Sequence, residues 1–235
     1  MSKIAQSFNQ FVESPNLSIV LNTEGLYFLL KDLKFRRIVE ESDLIFVDGI
    51  GLKLALEFSG MKNVKRLHGP DLFHDIIHRD DNQRQLILGG TPRAHELLLE
   101  KYPNLGNESY TKLNSEMVNV DELDSVYNMI EEFNPSRVFV CLGIRKQEYI
   151  GEKLRQKFPD ISIVGVGASI DFESGNVVRS STFMQKIGLE WLPRLIREPR
   201  MIPRFARSLY GLFYFSIKGI FRLHNYSVNL LKIVK

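Results

Sequence analysis

Four groups of side chains in this sequence have types and spacings that suit chemistry. The first centres on Asp48, which ends the β-branched and aromatic run Asp43-Leu-Ile-Phe-Val47 and precedes Gly49-Ile-Gly51. A carboxylate at such a turn is placed to take a proton from a bound hydroxyl. An Asp there equally suits the N-cap of the apolar periodic segment that follows, Leu52 to Phe58. The second group is a set of small or polar turns behind apolar runs: Asn22-Thr23, Asp48-Gly49 itself, Gly89-Gly90 and Gly165-Val166-Gly167. Glycine lets backbone N–H groups come close to a ligand, and a helix N-terminus beside them favours phosphate, so a nucleotide is the natural guest. Neither Gly-x-Gly-x-x-Gly nor Gly-x-x-x-x-Gly-Lys-Ser/Thr occurs at these turns, which disfavours dinucleotide and P-loop sites of the usual kind.

The third group, His74-Asp75-Ile-Ile-His78, sets two imidazoles one helical turn apart, as in a zinc motif. Asp75 replaces the Glu of that motif and no further ligand is evident downstream, so the segment reads as a partly exposed helix face and no metal is expected. The fourth is Cys141, alone in its chain and embedded in Val138-Phe-Val-Cys-Leu142. It reads as a small buried hydrophobe, and a single cysteine excludes a disulfide within the chain.

The elements that must position these groups alternate regularly. Leu17–Leu21 reads as a strand, followed by a helix through Leu26, Leu29, Leu30, Leu33 and Ile38 for which Thr23 is a candidate cap. After the Asp48 unit, Pro70 opens a helix to His78, Gln85–Leu88 is a strand, and Pro92 opens a helix to Tyr102. Asp121 to Phe133 is amphipathic, Arg137 to Leu142 is the most apolar strand, a helix follows from about Lys146 to Phe158, and Ile161–Val164 is the last strand. This rhythm predicts an α/β fold, Rossmann-like, with a mostly parallel sheet and helices on both faces. The N-terminal Met1 to Pro15 has no apolar segment of the secretory kind.

Charge divides the chain. The formal net charge of +3 combines +8 from residue 194 onward, where nine Lys/Arg face Glu198 alone, with −5 from 22 basic and 27 acidic residues before it. We therefore expect a core over 1–193 and a basic appendage over 194–235. On a helical wheel Arg204, Arg207, Gly211, Tyr214, Lys218 and Arg222 share one face, while Ile202, Leu209, Leu212, Phe213, Ile217 and Ile220 share the other. The apolar run Leu209 to Phe221 is interrupted by Lys218 and falls short of the ~20 residues that span a bilayer. The expected arrangement is a helix lying on a membrane, cations on anionic lipid and Phe213 and Tyr214 among the headgroups, with docking on the protein's own core or a dimer contact as the alternative. Nucleic acid is disfavoured as a partner, because the body is acidic and the aromatics cluster with aliphatics.

Beyond these single features, Asn22, Asp48-Gly49-x-Gly51, Arg66-x-x-Gly69-x-Asp71-Leu72 and Leu88-Gly89-Gly90 are followed by Gly143-Ile-Arg-Lys-Gln147-Glu148, Gly165-Val166-Gly167, Asp171-Phe172-x-x-Gly175-x-x-x-Arg179 and Gly188-Leu-Glu-Trp191-x-x-Arg194-Leu-x-x-Glu198-Pro-Arg200. In this order, over roughly residues 17–204, the sequence resembles the WecG/TagA/CpsF glycosyltransferases. The resemblance implies transfer of a sugar from a UDP-sugar to a polyprenyl-diphosphate-linked saccharide, at the cytoplasmic face of a bacterial membrane, in cell-envelope polysaccharide synthesis. It implies Asp48 as catalytic base, Asn22, Arg66 and Gln147 as polar partners in the same pocket, and Asp171 with Gly165–Gly167 on the nucleotide side. Gly49, Gly89, Gly90, Gly143, Glu148 and Arg179 complete the expected nucleotide and substrate contacts. With no Asp-x-Asp pair at a strand end, the leaving diphosphate would be met by guanidinium groups such as Arg66 or one from the tail, so metal-independent transfer is expected, and the resemblance implies inversion at the anomeric carbon. Two departures stand out: Val20 where many relatives have Thr, and Arg145 where relatives usually have Pro. A noncatalytic nucleotide-binding or membrane scaffold is the alternative. Donor sugar, acceptor and oligomeric state, homo-oligomer included, are left open, and Trp191 reads as a packing anchor.

Overall fold

The computed structural model describes residues 3–103, 105, 110–113, 119, 121–186, 190–192, 195, 201–220 and 233. Six strands, β1 (Leu17–Leu21), β2 (Leu44–Val47), β3 (Gln85–Gly89), β4 (Tyr110–Leu113), β5 (Arg137–Cys141) and β6 (Ser162–Gly165), form one sheet. Their order is β2-β1-β6-β5-β3-β4 and every pairing is parallel. The register sets Ile19 beside Ile45 and Gly165, and Val140 beside Gly165 and Leu88.

Successive strand residues point to opposite faces, so the apolar runs supply two cores. Ile19, Leu21, Ile45, Val47, Val138 and Ile163 face α2 (Thr23–Lys31), α3 (Leu33–Glu41), α4 (Ile50–Phe58), α7 (Asp124–Phe133) and α8 (Lys146–Lys157). Val20, Phe46, Ile87, Phe139 and Val164 face α1 (Gln10–Glu13), α5 (Gly69–Ile77), α6 (Pro92–Lys101) and α9 (Ser169–Glu173). The expected parallel sheet with helices on both faces is therefore the observed one. Cys141 is buried as expected, and burial pushes its thiol far above the ordinary range.

Three local features differ from the expectation. The single helix expected from Leu26 through Ile38 is two, because Asp32 leaves helical geometry (φ −129°, ψ 104°) and its carboxylate accepts the Phe35 N–H at 3.0 Å as the cap of α3. Asn22, not Thr23, caps α2 by accepting the Gly25 N–H at 3.0 Å. An edge strand, β4, was not foreseen; its sequence Tyr-Thr-Lys-Leu lacks the apolar run that marks a buried strand.

After α10 (Thr182–Lys186) comes the long helix α11 (Ile202–Ile220), which packs along α2 and against α4. Its close approach depends on Gly211, where a Cβ would sit 2.6 Å from the Tyr27 backbone nitrogen. Phe215 is buried in the core on that side and Leu212 packs against it. Part of the appendage expected over 194–235 is thus docked on the 1–193 core. No helix among the described residues is long and apolar enough to cross a membrane.

Candidate functional site

The chain runs from β1 to the β2 edge and then crosses to β3 on the far side, returning through β5 to β6 beside β1. Loops leaving neighbouring strands in opposite directions open a crevice at their carboxyl ends. Here that crevice is a cleft of ≈ 850 Å³, lined from β1 by Asn22, from β2 by Asp48 and Gly49, from β5 by Gly143, and from β6 by Gly165, Val166 and Gly167. Arg66, Gln147, Asp171 and Arg179 line it too. Most of the site residues expected from sequence are therefore brought together.

Asp48 does not cap α4; that helix has Gly49 as N-cap (φ 85°) and no side-chain cap bond. Its Oδ1 is instead 2.7 Å from Nδ1 of His68. The backbone arranges this contact: Asp48 N–H donates to Leu21 O at 2.8 Å, and Leu67 N–H donates to Val47 O at 2.9 Å, so the segment before α5 is laid along the end of β2. His68 is 9% exposed and also lines the cleft. Burial alone would lower its pKa, but the hydrogen bond and charge of Asp48 outweigh it and hold the imidazolium above the ordinary value. His68 was not singled out by sequence reading; it falls in a polar stretch without periodicity, and only its place three residues before Asp71 in the Arg66-x-x-Gly69-x-Asp71 pattern marked the neighbourhood.

Gln147 is held at both ends of its amide. Oε1 accepts the Gly167 N–H at 3.0 Å and Nε2 donates to Glu148 Oε1 at 2.8 Å. The amide lies over Gly165, where a Cβ would be 2.6 Å from Gln147 Cδ, so glycine at that strand end is what admits the glutamine. Glu148, expected at the ligand, is buried behind Gln147 and does not line the cleft. Its burial pushes the carboxyl up to about 7, and its Oε2 accepts the Arg145 N–H at 2.5 Å. Arg145 has φ 75°, a left-handed backbone that a proline ring, fixed near −65°, cannot adopt. The turn before Gln147 in this chain is thus one that arginine permits, and Arg145 is tied down by Asp32 at 3.0 Å.

The cationic side of the cleft comes from Arg66, Arg179 and Arg204. Arg179 pairs with Asp71 at 2.5 Å and Glu190 at 3.1 Å, while its buried Nη2 has no hydrogen-bond partner among the described residues. Trp191, also on the wall, stacks on Phe205 with ring centroids 4.2 Å apart.

Several expected contacts are corrected. Gly89 and Gly90 lie at the end of β3, which β5 separates from β6, and they do not line the cleft. A Cβ on Gly89 would meet Cys141 O at 2.5 Å and one on Gly90 would meet Ile170 at 2.9 Å, so these glycines serve packing. The basic face of the tail helix is not turned outward as a whole: Arg204 and Arg207 pair with buried Glu24 at 2.7 and 2.6 Å. Tyr214 packs against the core, whereas Ile202, Leu209 and Phe213 are exposed, Phe213 by 70%. The Lys218 side chain and Arg222 lie outside the described residues, as does Arg194.

Comparison with known proteins adds an independent finding. A family model described as glycosyl transferase WecG/TagA/CpsF matches residues 1–226. The chain is 27% identical over 203 residues to an N-acetylglucosaminyldiphosphoundecaprenol N-acetyl-beta-D-mannosaminyltransferase of Bacillus spizizenii strain W23, covering 81% of this chain and 77% of that one. It is 29% identical over 201 residues to a protein of the same name from Bacillus subtilis strain 168, covering 80% and 77%.

Proposed function

We propose that this chain, which belongs to the WecG/TagA/CpsF glycosyltransferase family, moves a sugar from a UDP-sugar to a polyprenyl-diphosphate-linked saccharide, with Asp48 as general base and inversion at the anomeric carbon. The observation that carries the reading is the Asp48–His68 pair in a cleft that also holds Asn22, Gln147 and three guanidinium groups. The relatives' names point to an N-acetylmannosaminyl donor and an N-acetylglucosaminyl-diphosphoundecaprenol acceptor as the first substrates to try.

In this mechanism His68, neutral and protonated on Nδ1, donates to Asp48 Oδ1 and fixes the carboxylate, leaving Oδ2 to take the proton of the acceptor hydroxyl as its oxygen attacks the anomeric carbon. The bond from that carbon to the diphosphate breaks on the opposite side, and UDP leaves. Its negative charge meets Arg66, Arg179 and Arg204, which all line the cleft. Asn22 has its oxygen engaged in the α2 cap, so its amide N–H groups are what it offers a substrate. No divalent ion takes part in the transfer step.

A lipid-linked acceptor requires the cleft to meet a membrane. The exposed Ile202, Leu209 and Phe213 of α11, with exposed Leu54 and Phe58 on α4 which packs beside it, support peripheral attachment through an apolar face. We place that attachment at the cytoplasmic face of the bacterial membrane.

The test is a donor screen with purified chain and a short-chain polyprenyl-diphosphate N-acetylglucosamine, reading released UDP. Wild type should turn over in EDTA, and Asp48→Asn should lose about 100-fold or more of turnover, the scale of a lost general base. Near-normal turnover of Asp48→Asn, or a rate abolished by EDTA and restored by magnesium or manganese, overturns this mechanism.

A further inference from the structure

The two histidines that sequence reading set aside for want of another ligand acquire one in the fold. His74 and His78 stand one turn apart at the end of α5, and Glu173, the last residue of α9, lies between them. Glu173 Oε2 is 3.0 Å from His74 Nδ1 and Oε1 is 3.1 Å from His78 Nε2. All three ligand atoms lie within 4.8 Å of one another.

We propose that His74, His78 and Glu173 form a divalent transition-metal site, of the two-histidine, one-carboxylate type that suits zinc, which fastens α5 to α9. In a tetrahedral zinc site, bonds of about 2.0–2.1 Å set ligand atoms roughly 3.3 Å apart. Each histidine already stands near that distance from one carboxylate oxygen, His74 from Oε2 and His78 from Oε1, and His74, the most exposed of the three, has room to swing toward the oxygen that His78 faces. Bridging by a metal exchanges the two histidine–carboxylate contacts for three metal bonds and leaves a fourth position for water, on the solvent side of His74.

The surroundings fit a cation. The site collects the C-terminal ends of α5 and α6, whose final carbonyls carry partial negative charge. Glu173 is only 10% exposed in its side chain and is oriented by the Tyr102 hydroxyl, which donates to Oε1 at 2.6 Å. Lys101 donates to the Glu173 carbonyl oxygen at 2.7 Å, which fixes the backbone behind the carboxylate. Held hydrogen bonds of this sort behind a ligand are what orient it for a metal. The Lys101 ammonium, 3.9 Å from Oε1, opposes binding and leaves the affinity below that of a closed structural zinc site.

None of the three ligands lines the cleft, yet α9 carries Asp171 to its wall and α5 carries Pro70. The metal is therefore a brace behind the site and takes no part in the transfer step, so the zinc experiment and the transferase experiment succeed or fail separately.

The test uses the full chain without a histidine tag, stripped with a chelator and titrated with zinc against a chromophoric competitor, with melting temperature followed in parallel. One equivalent should bind and raise the melting temperature. His74→Ala, at an exposed position that leaves folding intact, and His78→Ala should each weaken binding by at least tenfold and remove the thermal shift, as should Glu173→Gln. Failure to retain one equivalent, or retention unchanged in both histidine variants, overturns the site.

Discussion

Substituting Gly165 by alanine should damage the protein only through Gln147. The added Cβ would stand 2.6 Å from Gln147 Cδ and 2.7 Å from both Cγ and Nε2, where ordinary contact begins at 3.4 Å. The amide must therefore retreat by roughly 0.8 Å, a shift that stretches the 3.0 Å bond from Gly167 N–H beyond useful range. Overpacking of this kind costs about 1–3 kcal/mol, and the weakened hydrogen bond adds about 1 kcal/mol. In a Gln147→Ala background the same Cβ enters space the amide has left, and its cost should fall to roughly 0.5 kcal/mol or less. Urea unfolding of the wild type, both single variants and the double variant gives the coupling energy directly. Donor KM and turnover of Gly165→Ala should approach those of Gln147→Ala. Additive free energies, within about 0.5 kcal/mol, would refute the account of Gly165 as the seat of the glutamine.

The remaining expectations concern protonation and lipid. Because the folded protein raises the His68 pKa, the stabilisation from its charged pair with Asp48 is fully present below the ordinary histidine value and is lost as pH rises through the raised one. The charged pair also ties up the base, so the acid limb of the turnover profile should lie above the ordinary histidine range, and His68→Gln should move it downward; an unchanged profile would separate His68 from the base. Leu209→Glu with Phe213→Glu should abolish flotation of the chain with anionic vesicles while leaving transfer to a short-chain acceptor measurable, and continued flotation would locate the attachment elsewhere.

What the sequence discloses and what it hides follow from the range of the interactions involved. β-branched runs and strand-end glycines are local signals, and they gave five of the six strands, the two-sided sheet and the placement of Asp48. The missed features depend on partners far along the chain. His68 gains meaning only from the backbone bond that lays Leu67 against Val47. Glu173 meets His74 from 99 positions away. The tail helix shows its limits most plainly: a wheel separates a basic face from an apolar one, but not which face has a partner. Here a buried carboxylate at Glu24 draws the arginines inward, and part of the apolar face is left outside. Gly89 and Gly90 resemble the other turns in sequence, and only strand order removes them from the cleft.

The contact between Arg207 and Glu24 spans 183 positions, so closing it confines nearly the whole chain in one loop. The pairing of Leu17 with Ile163 in the sheet already closes a loop of 146 positions, so with the sheet formed the seating of α11 adds little to the closure entropy. Without that segment the cleft would lack the wall bearing Met201, Arg204 and Ser208. The completeness of the cleft is thereby tied to a contact that joins the first helix after β1 to the last described helix of the chain.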